Sequence, residues 1–293
     1  MRGYRLRLAI AVVWLAAAAG LHAWQWPVEA PLVTATFGQL VDGYLLRGVQ
    51  LATGGRPVHP VGEGVVSVVR REHGGAPTGL GSYVAIDHDH GFRSIYAHLD
   101  SDMLPLVGAI VDPATQIGVA GETGQISGRD LRLYVVDLQS GEYVNPMLLL
   151  PDLPDRTAPQ IGAVYARTTD ALYDLRSVRE LPAGSYQIVA QITDRMQPAA
   201  GSPRIAPFEV RFLVTGAQPH RLRFHRVVIR EGGAWLRPGD IATSEVYDPD
   251  GFVRLGSVLV SAEPSDLQIE AIDFAGRRAI WRARVTGLAE DDL

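Results

Sequence analysis

Residues Tyr83–Leu99 read YVAIDHDHGFRSIYAHL. Two runs with strand character, Tyr83–Asp87 and Phe92–His98, flank the polar turn Asp87-His88-Asp89-His90-Gly91. Asp and Gly tolerate the positive φ angles of a tight turn, so the stretch predicts a β-hairpin whose second strand ends on a histidine. Upstream, Leu45–Val69 consists of short β segments broken by Gly and Pro. It ends on Val65, Val66, Val68 and Val69, β-branched residues suited to a buried strand. Between the two lies Arg70–Gly81, a polar stretch with Gly74, Gly75, Pro77, Gly79 and Gly81 that reads as a loop long enough to overhang a cleft. Downstream, Val107–Val111, Gln116–Val119 and Leu131–Val136 complete a mainly antiparallel β core, which Asn145-Pro146 closes.

The chain of 293 residues has room for one large or two ordinary domains, and its 47% hydrophobic and 20% charged content is that of a globular protein. A net charge of −5 argues against nucleic acid, which demands a basic surface. Every basic residue is Arg and none is Lys, a pattern read as coding bias. Residues 1–23 have the form of a signal peptide. Arg2, Arg5 and Arg7 precede the apolar run Leu8–Ala19, and Leu21-His22-Ala23 offers a cleavage site. An uncleaved membrane anchor is the alternative, and either form predicts export to the periplasm or cell envelope. With no Cys, stability must come from core burial.

Residues 24–147 are expected to form the first domain. Leu148–Pro159 (LLLPDLPDRTAP) reads as a Pro-rich linker, because Pro fixes φ and cannot join a ladder. Residues 160–288 predict a second β domain, followed by an acidic tail at 289–293. Its candidate strands are Ile161–Tyr165, Tyr186–Thr193, Phe208–Thr215, Leu222–Ile229, Val258–Val260, Leu267–Asp273 and Ala279–Val285. In one of them Tyr186, Ile188, Ala190 and Ile192 alternate with Gln187 and Gln191. About seven such strands suggest an immunoglobulin-like β-sandwich, so the fold class expected is mainly β throughout.

The first domain resembles the lysostaphin-like (LytM-type, duplicated-hybrid-motif) zinc peptidases over roughly Phe37–Pro146. Four segments carry the resemblance: Phe37-Gly38, Gly48–Val66, Tyr83–Leu99 with its YAHL end, and Gly118–Gly128 followed by Leu131 and Asn145-Pro146. Such peptidases hold one zinc with the His and Asp of an H-x-x-x-D motif and the second His of an H-x-H motif. Two further histidines, the first of H-x-H and the one in YAHL, assist. Here H-x-x-x-D falls on Leu46-Arg47-Gly48-Val49-Gln50, and H-x-H falls on Asp130-Leu131-Arg132. Only His98, in YAHL, is kept. The expectation is therefore a pseudoenzyme with no cofactor and no catalytic residue, zinc being absent from the degenerate positions Leu46, Gln50 and Arg132, with His98 vestigial.

Other constellations are weaker. Asp87, His88, Asp89 and His90, with His59 and His73 near in sequence, form a conceivable metal cluster, but a solvated turn is the simpler reading. No Ser sits in a G-x-S-x-G elbow. Tyr44, Arg47, Gln50, Tyr96, His98, Asp130, Arg132 and Tyr134 are the candidate residues of a binding groove, since aromatic and Arg side chains suit sugar and peptide ligands. Arg221, Arg223, Arg226 and Arg230 read as a solvated strand face. The resemblance implies a non-catalytic cell-envelope protein that binds peptidoglycan or regulates a cell-wall hydrolase. An active zinc endopeptidase cleaving peptidoglycan cross-bridges and a structural envelope scaffold are the alternatives.

Overall fold

The computed structural model describes residues 24–72, 79–126 and 128–288. The expected export signal, His73 and the acidic tail lie outside the described residues.

The hairpin forms as the sequence predicts. Ser82–Asp87 and Phe92–Leu99 pair antiparallel, and the turn between them holds His90 and Gly91 at positive φ (68° and 78°). Phe92–Leu99 then pairs with Asp130–Asp137, the central strand of an eleven-stranded sheet among the described residues. On its other edge, Asp130–Asp137 takes Val49–Ala52 along its first half and Glu142–Val144 along its second. Successive side chains of this strand alternate between the sheet's faces. Leu131 and Leu133 enter the first core with Val49, Leu51, Val84, Ile86 and Tyr96. Arg132 and Tyr134 take the opposite face.

The Gly118–Gly124 segment supports the end of the hairpin. Thr123 Oγ1 accepts from the Ser82 amide at 2.9 Å and donates to the Leu99 carbonyl at 2.8 Å. The backbones of Gly81 and Gly124 nearly touch here. A Cβ on Gly124 would lie 2.4 Å from the Gly81 nitrogen, so only glycine fits.

Two further sheets make a second, sandwich-like unit. One holds Leu172–Asp174, Gln160–Arg167, Gly184–Thr193 and Val253–Val260. The other holds Glu180–Pro182, Arg278–Leu288, Ser265–Ile272, Glu209–Val214 and His220–Arg223, with Glu180–Pro182 parallel to Arg278–Leu288. Tyr186, Ile188, Ala190 and Ile192 are buried between the sheets with Val210, Phe212, Leu267 and Ile269. The described residues are thus mainly β, and their sheets are mainly antiparallel.

One expected strand is corrected. Leu222–Ile229 is two strands in two different sheets. His220–Arg223 stays in the sandwich, whereas Arg226–Arg230 pairs with Glu142–Val144 and extends the first unit's sheet, followed by Gly233–Arg237 and Ile241–Ala242. The break falls at Phe224-His225, where Asn145 holds both residues. Its Nδ2 donates to the Phe224 carbonyl at 2.8 Å, and its backbone amide donates to that of His225 at 3.0 Å. Phe224 is fully buried, and its ring occupies the space a side chain at residue 38 would need. A Cβ on Gly38, whose φ is 87°, would sit 2.0 Å from the ring. Phe37-Gly38 and Asn145-Pro146, the first and last motifs of the resemblance, are here joints between the two units.

The expected solvated face of Arg221, Arg223, Arg226 and Arg230 is divided between the two sheets: Arg221 and Arg230 are exposed, Arg223 and Arg226 are half-buried, and each has an acidic partner. Arg221 and Arg211 converge on the buried Glu209, with Arg223 nearby at 3.6 Å. Arg226 bonds Asp137 and Glu142 across the junction, and Arg230 lies over the Trp235 ring and pairs with Asp240. The 148–159 segment is packed as well: Leu150 joins the first core, and Trp26 Nε1 donates to the Pro151 carbonyl at 2.9 Å.

Candidate functional site

Register sets the centre of the site. The pairing of Val49–Ala52 with Asp130–Asp137 places Gln50 opposite Arg132, while Ala97 of the hairpin faces Arg132 from the other side. The small side chain of Ala97 leaves room for a long one beside it. Ala35, Leu46, Ala97 and Tyr134 form an apolar cluster on this face. Arg132, only 6% exposed, lies within it.

The guanidinium is bonded on every nitrogen. Nε donates to Gln50 Oε1 at 3.0 Å, Nη2 to Asp42 Oδ2 at 2.9 Å, and Nη1 to the Gln125 carbonyl at 3.4 Å. Gln50 in turn donates from Nε2 to Asp130 Oδ2 at 2.9 Å. Asp130 and Arg132 are therefore coupled through Gln50, and the direct ion pair of Arg132 is with Asp42. A planar fork with five donors is suited to such a set of acceptors.

His98 is fully buried, with φ at 65°. Nδ1 is 2.8 Å from the Thr123 carbonyl, the geometry of an N–H donor, and Nε2 has no hydrogen-bond partner among the described residues. Burial lowers the basicity of the ring most, and the nearby Arg132 charge lowers it further, so the imidazole is neutral at pH 7.

The side chains at the aligned motif positions offer a zinc ion few donor atoms. A catalytic zinc takes three protein ligands with lone pairs and keeps a fourth position for water. Where the family motifs place those ligands, Leu46 has no donor atom, and Arg132 has a fixed positive charge and no lone pair. Gln50 already turns its amide oxygen to Arg132. A divalent ion here would stand against a guanidinium in a site shielded from water, where like charges repel strongly.

In front of Arg132 lies a groove of about 450 Å³. Its walls are mostly apolar and aromatic: Val41, Tyr44, Leu45, Leu46, Leu80 and Tyr134, with Arg47 and Arg132 as the charged members. Ala234 and Thr243 close one side. Both come from the part of the chain that crosses over from the sandwich. Arg47 lies 4.8 Å over the Tyr143 ring, and Tyr143 packs edge-on against Tyr134.

Of the groove candidates, Tyr44, Arg47, Arg132 and Tyr134 line it together. Gln50 and Asp130 support Arg132 but do not line the groove. Tyr96 is corrected: it is fully buried in the first core on the other face, and its hydroxyl accepts from the Val61 amide at 2.7 Å. Strand alternation fixes this, because Tyr96 sits beside Leu133 rather than Arg132. His98 is too deeply buried to serve as a wall. His88 is not in a solvated turn: Nδ1 is 2.8 Å from the Glu63 carbonyl and Nε2 2.6 Å from Ser94 Oγ. Asp87 is engaged by Arg93, which leaves the exposed Asp89 and His90 as the rest of that suspected cluster. Asp42, Leu80, Gln125, Ala234 and Thr243 were not foreseen. Asp42 stands eight residues before Gln50 and ninety before Arg132, and no spacing rule relates them.

Comparison with known proteins bears on the first domain. The family model of peptidase family M23 matches residues 45–146, and a separate family model matches residues 158–286. Residues 45–146 are a LytM-type domain of peptidase family M23. The murein hydrolase activator NlpD of Escherichia coli strain K12 is 30% identical over 132 residues, covering 45% of this chain and 32% of that protein. NlpD of Salmonella dublin is 30% identical over 134 residues, covering 45% and 33%. The chain thus spans about a third of the length of these relatives. Among solved structures, a zinc-containing peptidase from Vibrio cholerae is 31% identical, covering 45% of this chain and 41% of that one, with a TM-score of 0.37. No helix among the described residues is long and apolar enough to cross a membrane.

Proposed function

We propose that this protein is a non-catalytic member of the cell envelope that regulates a cell-wall hydrolase by contact through the groove. The observation that carries the reading is Arg132. It stands where the family motif would supply the last zinc ligand, and its guanidinium is bonded throughout by Gln50, Asp42 and Gln125. Such a centre supplies no metal-activated water and no Lewis acid for amide cleavage. The apolar and aromatic groove walls are those of a surface that takes a protein segment, with Tyr44 exposed at the rim. The relatives named as murein hydrolase activators fit the same reading. Export of the chain, with residues 1–23 as its signal, and the absence of zinc belong to this proposal. So does an immunoglobulin-like role for the sandwich as a spacer or partner-binding module.

A second reading has one observation in its favour. Tyr44 and Arg47 together offer an aromatic face and a cation at the groove mouth, a pairing suited to peptidoglycan itself.

The test is digestion of dye-labelled cell walls by the purified protein, alone and with candidate wall amidases. The expected result is no release alone and faster release with one amidase, the gain being lost in Tyr44→Ala. Digestion by the protein alone, abolished by a chelator, would overturn the reading. Binding to walls with no amidase stimulated would favour the second reading.

A further inference from the structure

A second buried charge centre lies far from the groove. Asp155 belongs to the packed 148–159 segment, Asp194 follows the strand Gly184–Thr193, and Asp273 follows the strand Ser265–Ile272. One carboxylate oxygen from each lies within 4.8 Å of the other two. Asp194 and Asp273 are each 1% exposed and Asp155 is 9% exposed.

Each carboxylate is half satisfied. Oδ1 of Asp155 accepts from the Thr157 amide, Oδ1 of Asp194 from the Arg195 amide and Oδ1 of Asp273 from the Arg277 amide. Oδ2 of all three accepts no hydrogen bond from any described residue. Among the described residues the cation paired with this group is Arg277. Its Nη1 stands 3.9 Å from both Asp155 and Asp273, too far for a hydrogen bond, and its side chain is 40% exposed. Three buried carboxylates facing one loosely placed guanidinium leave an excess of negative charge where water cannot screen it.

We propose that Asp155, Asp194 and Asp273 form a binding site for one calcium ion, which fastens the 148–159 segment to the sandwich. The donors are hard oxygens, which suits calcium and magnesium and disfavours softer metals. Burial decides between the two. An ion held by side chains this deep must shed much of its water, which magnesium does reluctantly and calcium readily. Thr157 Oγ1, two residues beyond Asp155, is a further buried oxygen without a hydrogen-bond partner. The bound ion would hold together three stretches of chain that otherwise repel one another.

The experiment uses the full chain, freed of metal by chelation and dialysis. Equilibrium dialysis against radioactive calcium is expected to give one ion per chain, and thermal unfolding a Tm several degrees higher in millimolar calcium than in chelator. Magnesium at the same concentration is expected to give a smaller shift. The double variant Asp194→Asn/Asp273→Asn, checked for fold by circular dichroism, is expected to bind calcium at least about tenfold more weakly and to lose the Tm response. The wild-type dialysis stands even if that variant fails to fold. No calcium bound by the wild type, an equal shift with magnesium, or an undiminished affinity in a folded double variant would overturn the proposal. A Tm indifferent to calcium in the wild type, together with a more stable double variant, would show that the three carboxyls share protons instead.

Discussion

Arg132 and the aspartates at 155, 194 and 273 are both buried charge, and they are treated oppositely. Every nitrogen of Arg132 has an acceptor, two from side chains and one from the backbone. Each aspartate has one oxygen hydrogen-bonded to the backbone and one that accepts no hydrogen bond from any described residue. Leaving a buried polar group unpaired costs about 1–3 kcal/mol, and more when it is charged. A protein therefore keeps an unpaired charge only where something else completes it. By this measure the Arg132 centre is closed upon itself, whereas the aspartate centre is open to a cation.

The contrast can be broken most forcefully at Arg132. Arg132→Ala should destabilise the protein by about 3 kcal/mol, because it removes a buried cation and strands Gln50 and its tie to Asp130. Chemical denaturation would measure the loss, and Arg132→Met should recover part of it by filling the space. Neutralising the other centre should have the opposite sign. In chelator, Asp194→Asn/Asp273→Asn should gain about 1 kcal/mol over wild type, since each amide keeps its Oδ1 acceptor and adds a donor facing the remaining carboxylate. A loss in chelator would mean that the aspartates are already satisfied.

Acid should reach a third set of buried groups, the histidines, without mutation. His88 and His98 are both held below their ordinary basicity, chiefly by burial. Around His98 the charges of Arg132, Glu72 and Asp42 adjust that effect without reversing it. The unfolded chain takes up protons near pH 6.5 while the folded chain resists them, so stability is full above that value and falls as the pH drops below it. Asp194, raised by burial, pulls the other way in this window, so the histidine share is read from the difference between wild type and His88→Asn/His98→Asn: denaturation midpoints from pH 7.5 to 5 should shift in the variant's favour as the pH falls. Asn tolerates the positive φ of residue 98. The smallest effect belongs to Asp42→Asn. Its carboxylate is more than half exposed, so the ion pair with Arg132 is worth about 0.5 kcal/mol, and high salt should remove most of that difference.

Much of the fold could be read from local chemistry. The hairpin at Ser82–Leu99 follows from strand propensity and a turn of Asp and Gly, and the alternation at Tyr186–Ile192 gave its buried face. The centre of the site was legible in part, because Asp130 and Arg132 are two apart on one strand and must share a face. The missing parts are long-range. Asp42 reaches Arg132 from ninety positions away, and Ala234 and Thr243 reach the groove from beyond the sandwich strand His220–Arg223. Tyr96 shares its strand phase with Leu133 and so faces the core, although an aromatic beside a motif histidine suggests a wall. The break at Phe224-His225 has no local breaker such as Gly or Pro; it is imposed by Asn145 and Gly38, which the sequence does not connect to it.

The crossing strand Arg226–Arg230 also bears on how the protein is made. Arg226 bonds Glu142 across 84 positions of chain, so the first sheet emerges from synthesis with the edge at Glu142–Val144 bare. That edge is capped only after most of the sandwich has followed it. A shortened chain ending near residue 159 would keep the open edge permanently, and open edges recruit other strands. The two halves are therefore a poor choice for modular exchange: a domain swap at the Pro-rich segment would cut a sheet as well as a linker.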